Sequence, residues 1–570
     1  MNRLNLIWER LCAWITPRRR PLSFWLVWAA IVWRYLSCGI EYCWQHDDYI
    51  QYINYPSVGD YPLLLREQGL LASRPLAAVT DLYVWSKFAG VMIVAVLLLA
   101  LLYAGSALLW QSVFRRRFGT GWIFTVVYAL LPLGFEGTYW MSAGTRLICG
   151  LFFGALAAWM LVRWVEDGRK LCAWLYFPVL LLSYGYYEQT LVLSAAASLL
   201  LMLDYLGERR RRSLLALLAF AAAGCYFAFT AAFSDGGALS SRMELALPNN
   251  AYYFEVFLPE ISGQVWNAFF WGGAGTVVKG FWRGLKLIFT EGKWLWLLVC
   301  LGLTALFGLL ARREDDAEAV RVPAGKRRGL RVVWAYGFGI LLALAPVSIF
   351  FFIGNPWFSI RNTLPSFVGL AFIADLTVRL CLRRQVRVRA GVCAVLAAVL
   401  CIGSVSEMHD YRETYNHDVV LLDCVAEKLA AEGDSLPEGK LGIVGANATY
   451  LEEQNYYFNG HISAISSSDW ELYGALTARM KADVGRTIVP LPTNEFSLYR
   501  GWNRAVRQID SFAALWFWNE ATHSLRDLAA EPQADGSTRL VFADDGSFCA
   551  VVWEEIASNG EYFGYIRFSE

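Results

Sequence analysis

The sequence predicts a mainly α, polytopic membrane helix bundle with a small α/β domain at its C-terminal end. Three observations carry this prediction. Apolar residues make up 57% of the 570 and charged residues only 17%, against about 45–50% and roughly 25% in soluble globular domains. Mean hydropathy is +0.38, and long apolar runs recur as far as residue 406, so the bilayer is the solvent for most of the chain. After that point polar and apolar residues alternate, and turn signals such as Asp544-Asp545-Gly546 appear.

Residues 1–21 read as a cytoplasmic amphipathic N-terminus. Leu4, Ile7, Trp8, Leu11 and Ile15 share a helical face, and Arg18-Arg19-Arg20 follow. The apolar run behind them is full length, which reads as a retained first span rather than a cleavable leader. The transmembrane domain occupies 22–406, with spans expected at 22–40, 88–110, 120–135, 146–164, 171–186, 190–206, 213–233, 293–311, 332–353, 360–380 and 390–406. That makes about eleven, several of them shorter than the roughly 20 residues that cross a bilayer comfortably.

Charge sets the expected orientation. With the N-terminus inside, the inside segments carry Arg115–Arg117, Arg169/Lys170, Arg209–Arg212, Arg312/Arg313 with Lys326–Arg328, and Arg383/Arg384/Arg387/Arg389. The outside segments 41–87, 135–145 and 234–292 are longer and poorer in Lys and Arg. This is the positive-inside pattern, and it places residues 407–570 outside as an extracytoplasmic soluble domain. Within that domain, 418–431 reads as an amphipathic helix, and Lys440–Gly445, Arg539–Ala543 and Ala550–Glu554 read as strands.

The candidate chemistry lies on the expected outer side. The first external loop opens with Glu41-Tyr42-Cys43-Trp44-Gln45-His46-Asp47-Asp48-Tyr49. Adjacent acids are often a solvated turn. Among aromatics at a membrane surface, however, desolvation and like charge favour a proton-sharing pair suited to general base work. The loop ends at Ser73-Arg74-Pro75, where Arg74 is either a phosphate ligand or the residue before an ordinary Pro-initiated helix. Glu188 stands in a short outer turn, Ser183–Thr190, and a carboxylate at that depth needs a partner or water. Arg361, in Trp357–Pro365, is either a lipid-phosphate ligand or a snorkelling anchor. Glu136 and Arg146 flank another outer turn. In the loop 234–292, Val278, Phe281, Trp282, Leu285, Ile288 and Phe289 fall on one helical face and Lys279, Arg283 and Lys286 on the other. That pattern predicts an interfacial helix, serving as an anchor or as a collector of lipid phosphate.

Other chemistries find little footing. The chain has no G-x-x-x-x-G-K-[ST], no H-E-x-x-H and no G-x-S-x-G. Its five histidines, at 46, 409, 417, 461 and 523, do not suggest a multi-histidine metal site, and nothing points to nucleic acid. Most of the twelve cysteines sit in apolar runs as small hydrophobes; Cys38 with Cys43 and Cys424 with Cys549 are conceivable pairs. Asp375 and Arg379, four apart, are expected to pair, and Asp204 lies near the inner boundary. Trp470, Trp502, Trp516 and Trp518 are either glycan-stacking residues or core.

The order of these features resembles the GT-C class of membrane glycosyltransferases, which draw sugar from a polyprenyl-phosphate carrier. Within that class, Asp47-Asp48 and Ser73-Arg74-Pro75-Leu76-Ala77 look like the first loop of the bacterial serotype-converting (O-antigen) glucosyltransferase family. Arg361-Asn362-Thr363-Leu364-Pro365 looks like the Arg-x-x-x-Pro segment many such enzymes carry before a late span. Tyr49-Ile50-Gln51-Tyr52 stands where related sequences have an Arg soon after the acidic pair. The resemblance implies an inner-membrane enzyme that moves a sugar, a hexose first, from a polyprenyl-phosphate donor to a cell-envelope glycan or lipid acceptor. Asp47 or Asp48 would take the acceptor proton, contributing about 10²–10⁴-fold. Arg361, with Arg74 or Arg146 as second choices, would stabilise the departing lipid phosphate, and Glu188 would orient the sugar or the base. A divalent metal is compatible with this chemistry but not required. The competing readings are a lipid-linked oligosaccharide transporter or polymerase, and a non-catalytic envelope assembly protein.

Overall fold

The structure is a computed structural model. It describes residues 21–67, 69–233, 246–317, 328–354, 357–383, 385–432, 435–451, 461–493, 509–534, 538–555 and 562–568. The expected N-terminal amphipathic helix and Trp502 lie outside these residues. The chain divides into two compact units, Met1–Ile40 with Pro62–Met408, and Glu41–Tyr61 with His409–Glu570. The acidic loop segment therefore groups with the C-terminal residues rather than with the helices that flank it in sequence.

Among the described residues, eight helices are long and apolar enough to cross a membrane. They are Trp85–Phe118, Met141–Asp167, Glu188–Leu206, Arg211–Ala232, Trp294–Arg313, Gly329–Phe351, Ile360–Cys381 and Val386–Glu432. This is the architecture of a helical membrane bundle, and the eight correspond to eight of the expected spans.

The other three expected spans are not among these eight. Helix α1, residues 21–35, passes into a 3₁₀ turn at Leu36–Cys38. The segment 120–135 is not one span. It contains α2 (Trp122–Leu130), only 9 residues long, followed by a 3₁₀ turn at Pro132–Gly134 and a short helix at Phe135–Tyr139. Pro132 has no N–H to continue the helix, and the residue before it, Leu131, turns extended. The third is α3 (Lys170–Tyr184), of 15 residues, or about 22 Å at 1.5 Å per residue.

The break after α2 leaves carbonyls without helical partners, and a buried arginine meets one of them. Arg34 of α1 donates from Nη1 to the Ala129 carbonyl at 2.8 Å and from Nε to Ser404 Oγ at 2.7 Å, and its guanidinium lies over the Tyr139 ring. The negative end of the short helix thus faces the cation.

The helix expected around 278–289 is present in the described part of 234–292, running through Tyr253–Phe257, Leu258–Trp266, Asn267–Trp271, Gly272–Ala274, Gly275–Lys279 and Gly280–Thr290. Its contact with the rest of the unit is made through small residues. The buried stripe is Gly272, Thr276, Gly280, Gly284 and Ile288, every fourth residue. A Cβ on Gly284 would collide with the Ile402 carbonyl. Small residues let two helix backbones approach, so Val278, Trp282 and Phe289 stay exposed on the far side.

The second unit holds a seven-stranded sheet in the order β2-β1-β3-β4-β5-β6-β7. Its strands are β1 (Leu441–Val444), β2 (Ile488–Leu491), β3 (Ala514–Asn519), β4 (Ser524–Pro532), β5 (Thr538–Phe542), β6 (Phe548–Glu555) and β7 (Tyr562–Phe568). β1 runs parallel to β2 and β3, and the remaining pairs are antiparallel. A helix, α4 (Asp469–Met480), lies between β1 and β2 in the chain, as a parallel pair requires a crossover. Alternate residues feed two cores. Leu441 and Ile443 join Tyr49, Leu421, Leu472, Trp516 and Trp518, whereas Val444 joins Leu491, Leu515, Leu540 and Phe542. Trp516 and Trp518 are therefore core residues, not stacking platforms. The helix expected at 418–431 is the last part of Val386–Glu432. No disulfide joins Cys38 to Cys43, and Cys424 is a free thiol.

Candidate functional site

Each unit contributes candidate residues, and each set has its own geometry. In the first unit the helix ends sort themselves. The last turns of Met92–Phe118, Met141–Asp167 and Glu188–Leu206 meet the start of Arg328–Ser348 through ion pairs. Arg117 Nη2 lies 2.5 Å from Asp204, Arg331 also pairs with Asp204, and Arg116 Nη1 reaches Glu166 at 3.0 Å. Trp334 Nε1 adds a hydrogen bond to Asp204 at 3.0 Å. The basic connections thus share one end of the unit. The opposite helix ends carry Arg146 and Glu188, with Arg74 paired to Glu188 and the Arg361 segment bonded to the turn before Glu188.

Arg74 precedes the helix Pro75–Tyr83, which starts with Pro at its first position. Its Nε donates to both Glu188 oxygens at 3.1 Å, and its guanidinium lies 4.2 Å from the Tyr187 ring centroid. Burial lowers the Arg74 pKa, but Glu188 together with Tyr187 and Tyr226 outweighs burial and raises it, so the cation persists. Glu188 is therefore charge-paired. Arg146 is engaged as well. It lies 3.6 Å from Asp81, whose other oxygen accepts from Thr145 Oγ1 at 3.0 Å.

Arg361 stands apart. It is the second residue of the 3₁₀ segment Ile360–Ser366, which Ser359 and Asn362 cap reciprocally. Asn362 Nδ2 donates to Tyr187 Oη at 2.9 Å, and Gln189 Nε2 donates to the Asn362 carbonyl at 2.9 Å. These bonds tie the Arg361 segment to the turn that carries Glu188. The guanidinium lies 4.4 Å from the Trp140 ring centroid. Among the described residues Arg361 has no carboxylate partner, unlike Arg74 and Arg146. A half-buried arginine on an aromatic face, with its fork of donors uncommitted, is suited to a phosphate.

Lys279 and Arg283 sit elsewhere. Lys279 is exposed, and Arg283 donates to Ser406 Oγ at 3.0 Å. Glu136 is buried in the short helix Phe135–Tyr139.

In the second unit the acidic pair divides into two environments. Asp48 is fully buried, and its Oδ2 accepts from Tyr42 Oη at 2.5 Å and from the Gln45 N–H at 3.2 Å. It closes its own turn, as Asp commonly does. Asp47 is half-buried and has no hydrogen-bond or ion-pair partner among the described residues. Of the two, Asp47 has the carboxylate available for proton transfer.

Sequence reasoning missed Tyr187, Asn362, Gln189, Asp81, Trp140 and Arg34. A carboxylate within the apolar run around Asp81, and a cation within the first span at Arg34, were visible signals of residues needing partners. The aromatic and amide partners had none. Among the described residues no three His, Cys, Asp or Glu side chains converge in a metal-binding group. Compared with known proteins, the chain matches no protein-family profile and no curated protein at a significant level.

Proposed function

We propose that this protein is a membrane glycosyltransferase that moves a sugar, a hexose first, from a polyprenyl-phosphate carrier to a cell-envelope glycan or lipid acceptor. The observation that carries the reading is the polarity of the first unit. Basic connections gather at one helix end, and an uncommitted arginine stands at the other, beside a paired Arg74–Glu188 and an Asp81-bound Arg146. With the basic end in the cytoplasm, Arg361 faces the extracytoplasmic side, where a lipid-borne phosphate group would arrive.

In this reading Arg361 stabilises the charge that develops on the departing lipid phosphate, through charge-assisted hydrogen bonds. Asp47 accepts the proton of the acceptor hydroxyl as it attacks the anomeric carbon. Glu188 keeps Arg74 charged and in place, and acts on the sugar only through that pairing. Asp48 shapes the turn that presents Asp47.

The test is the mass profile of envelope polysaccharide and lipid-linked sugars in a strain lacking the protein. Complementation is by wild type, Asp47→Asn or Arg361→Gln at matched membrane levels. Loss of a sugar-sized mass, restored by wild type and by neither variant, supports the transferase. Full restoration by Asp47→Asn removes the base assignment and turns attention to a transporter. Longer or shorter chains, in place of a missing sugar, point to a polymerase.

A further inference from the structure

The C-terminal domain holds the segment Glu41–Tyr61 at four places. Arg412 donates from Nη2 to the Glu41 carbonyl at 2.7 Å and pairs with its carboxylate at 3.2 Å. Tyr49 enters the core beside Leu421, Leu472 and Trp516, with Trp44 stacked on it at 5.2 Å. Ile50 lies against Gly474 of α4, where a Cβ would overlap its side chain. The fourth contact is the most specific, because His46 Nδ1 lies 2.9 Å from Glu471 Oε1 with both side chains buried.

His46 is the residue immediately before Asp47, and its backbone is in an unusual conformation, φ 28° and ψ −109°. A β-carbon residue holds such a conformation only when its surroundings impose it. Glu471 is itself fixed. Its second oxygen accepts from Ser467 Oγ at 2.5 Å, and its N–H donates to Ser468 Oγ, the N-cap of α4. Burial would raise the Glu471 carboxyl pKa; His46, Ser467 and Ser468 outweigh burial and hold it below the usual range. The carboxylate therefore stays ionised as a rigid acceptor.

We propose that Glu471 is a positioning residue for Asp47: the C-terminal domain, through the Glu471–His46 contact, locks the strained backbone that aims the Asp47 carboxylate. This rests on the reading of Asp47 as the base. It gives the large soluble domain a role in the reaction without any group of its own touching substrate. His46 acts as the lever and Ser467 as the stop behind Glu471.

The experiment uses the full chain, purified in detergent and also expressed in the deletion strain. Glu471→Ala removes the acceptor, whereas Glu471→Gln keeps one carbonyl oxygen for the imidazole and sets an NH2 against Ser467, whose hydroxyl can turn to accept from it. Hydrogen exchange of the amides at 46–49 is expected to quicken about tenfold or more in Glu471→Ala, and much less in Glu471→Gln. Transferred sugar should fall by up to about 100-fold in Glu471→Ala, the scale of a 1 Å misplacement, and recover substantially in Glu471→Gln. Membrane level should stay near wild type in both, and the melting temperature should fall only modestly in each, since both lose the carboxylate's stabilisation, so the two variants part in exchange and yield rather than in stability.

Unchanged exchange at 46–49 in Glu471→Ala overturns the proposal, as does a full sugar yield when Asp47→Asn gives none. Equal loss in Ala and Gln variants, with a sharply lowered melting temperature, also overturns it by reducing Glu471 to a folding residue. If Asp47→Asn itself retains full yield, the transferase reading fails. The exchange result then still decides whether the clamp exists.

Discussion

Replacing Glu188 by Leu should destabilise the first unit, and replacing Arg74 by Met in the same chain should largely reverse the effect. The reason lies in the pair's burial. The two side chains are only 18% and 19% exposed, and the separation is 3.1 Å. Unit charges about 4 Å apart attract by about 4 kcal/mol at an effective dielectric near 20. Removing one partner of a fully buried pair costs about 3–5 kcal/mol, because the other charge is stranded. Here Tyr187 keeps its face under the guanidinium, worth about 0.5–2 kcal/mol, and one-fifth of each side chain sees solvent. The expected loss for Glu188→Leu is therefore about 2 kcal/mol. In a unit of this size that is a fall in melting temperature of about 2–3 °C. Tryptophan-fluorescence melting of the detergent-solubilised protein reads it, and the double-mutant cycle should yield a coupling of about 1.5–2 kcal/mol. Sugar transfer adds a second axis. If Arg74 also contacts the donor phosphate, the double variant recovers its melting temperature but not its yield. A Glu188→Leu protein that melts like wild type, or a double variant whose losses simply add, refutes the reasoning.

Three further outcomes follow from the same geometry. Glu471 has a folded-state pKa below its unfolded value, so its stabilisation is present above the unfolded pKa of about 4.3 and is lost as pH falls through the folded one. Far-UV circular dichroism melts between pH 6 and 3 should show this decline in wild type and a flatter profile in Glu471→Gln. Arg34→Met should cost about 1–3 kcal/mol, because the Ala129 carbonyl loses its donor in a buried place; a melting temperature equal to wild type in thermal scans would remove Arg34 as the cap of the short helix. Gly284→Val should cost about 1–3 kcal/mol by overpacking against the Ile402 backbone, and Trp282 emission should shift as its helix lifts, whereas Val278→Ala on the exposed face should do neither.

Much of the bundle was legible because its signals are local. Apolar runs marked the eight long helices, and the four-residue spacing of Asp375 and Arg379 anticipated an ion pair now found at 3.4 Å. The strands expected at Lys440–Gly445, Arg539–Ala543 and Ala550–Glu554 appear within a residue or two of those bounds. What went unread has identifiable causes. Hydropathy ran through 120–135 although Pro132 was there to break it. No Gly or Pro separates Gly403 from Glu432, yet the span and the tail helix were divided because the apolar content stops between them. In the helix around Gly284, the aromatic periodicity concealed the weaker small-residue stripe that makes the actual contact. The grouping of residues 41–61 with the C-terminal unit depends on partners such as Arg412 and Glu41, 371 positions apart. No pattern in a single stretch reports such a distance.

That last grouping changes how the acidic pair should be understood. As a sequence, Asp47-Asp48 looks like two equivalent carboxylates, and like-charge repulsion suggests that they share a proton. The structure gives them unequal work. Asp48 is committed to Tyr42 and Gln45, so its substitution should disturb the turn before it disturbs any proton transfer. Asp47 has no such commitment and follows a residue whose backbone is held by Glu471. A base needs a fixed direction more than it needs a neighbour of the same charge, since proton transfer depends on hydrogen-bond geometry before it depends on pKa. The three arginines of the first unit show the same economy of commitment. Arg74 and Arg146 are held by carboxylates, and Arg361 is held through its backbone and its aromatic neighbour, which leaves the guanidinium itself free to meet an anion. Among the candidate residues, then, Asp47 and Arg361 are left uncommitted by neighbours that fix their position without neutralising them, and these two are where substitution should remove function at the least cost to the fold.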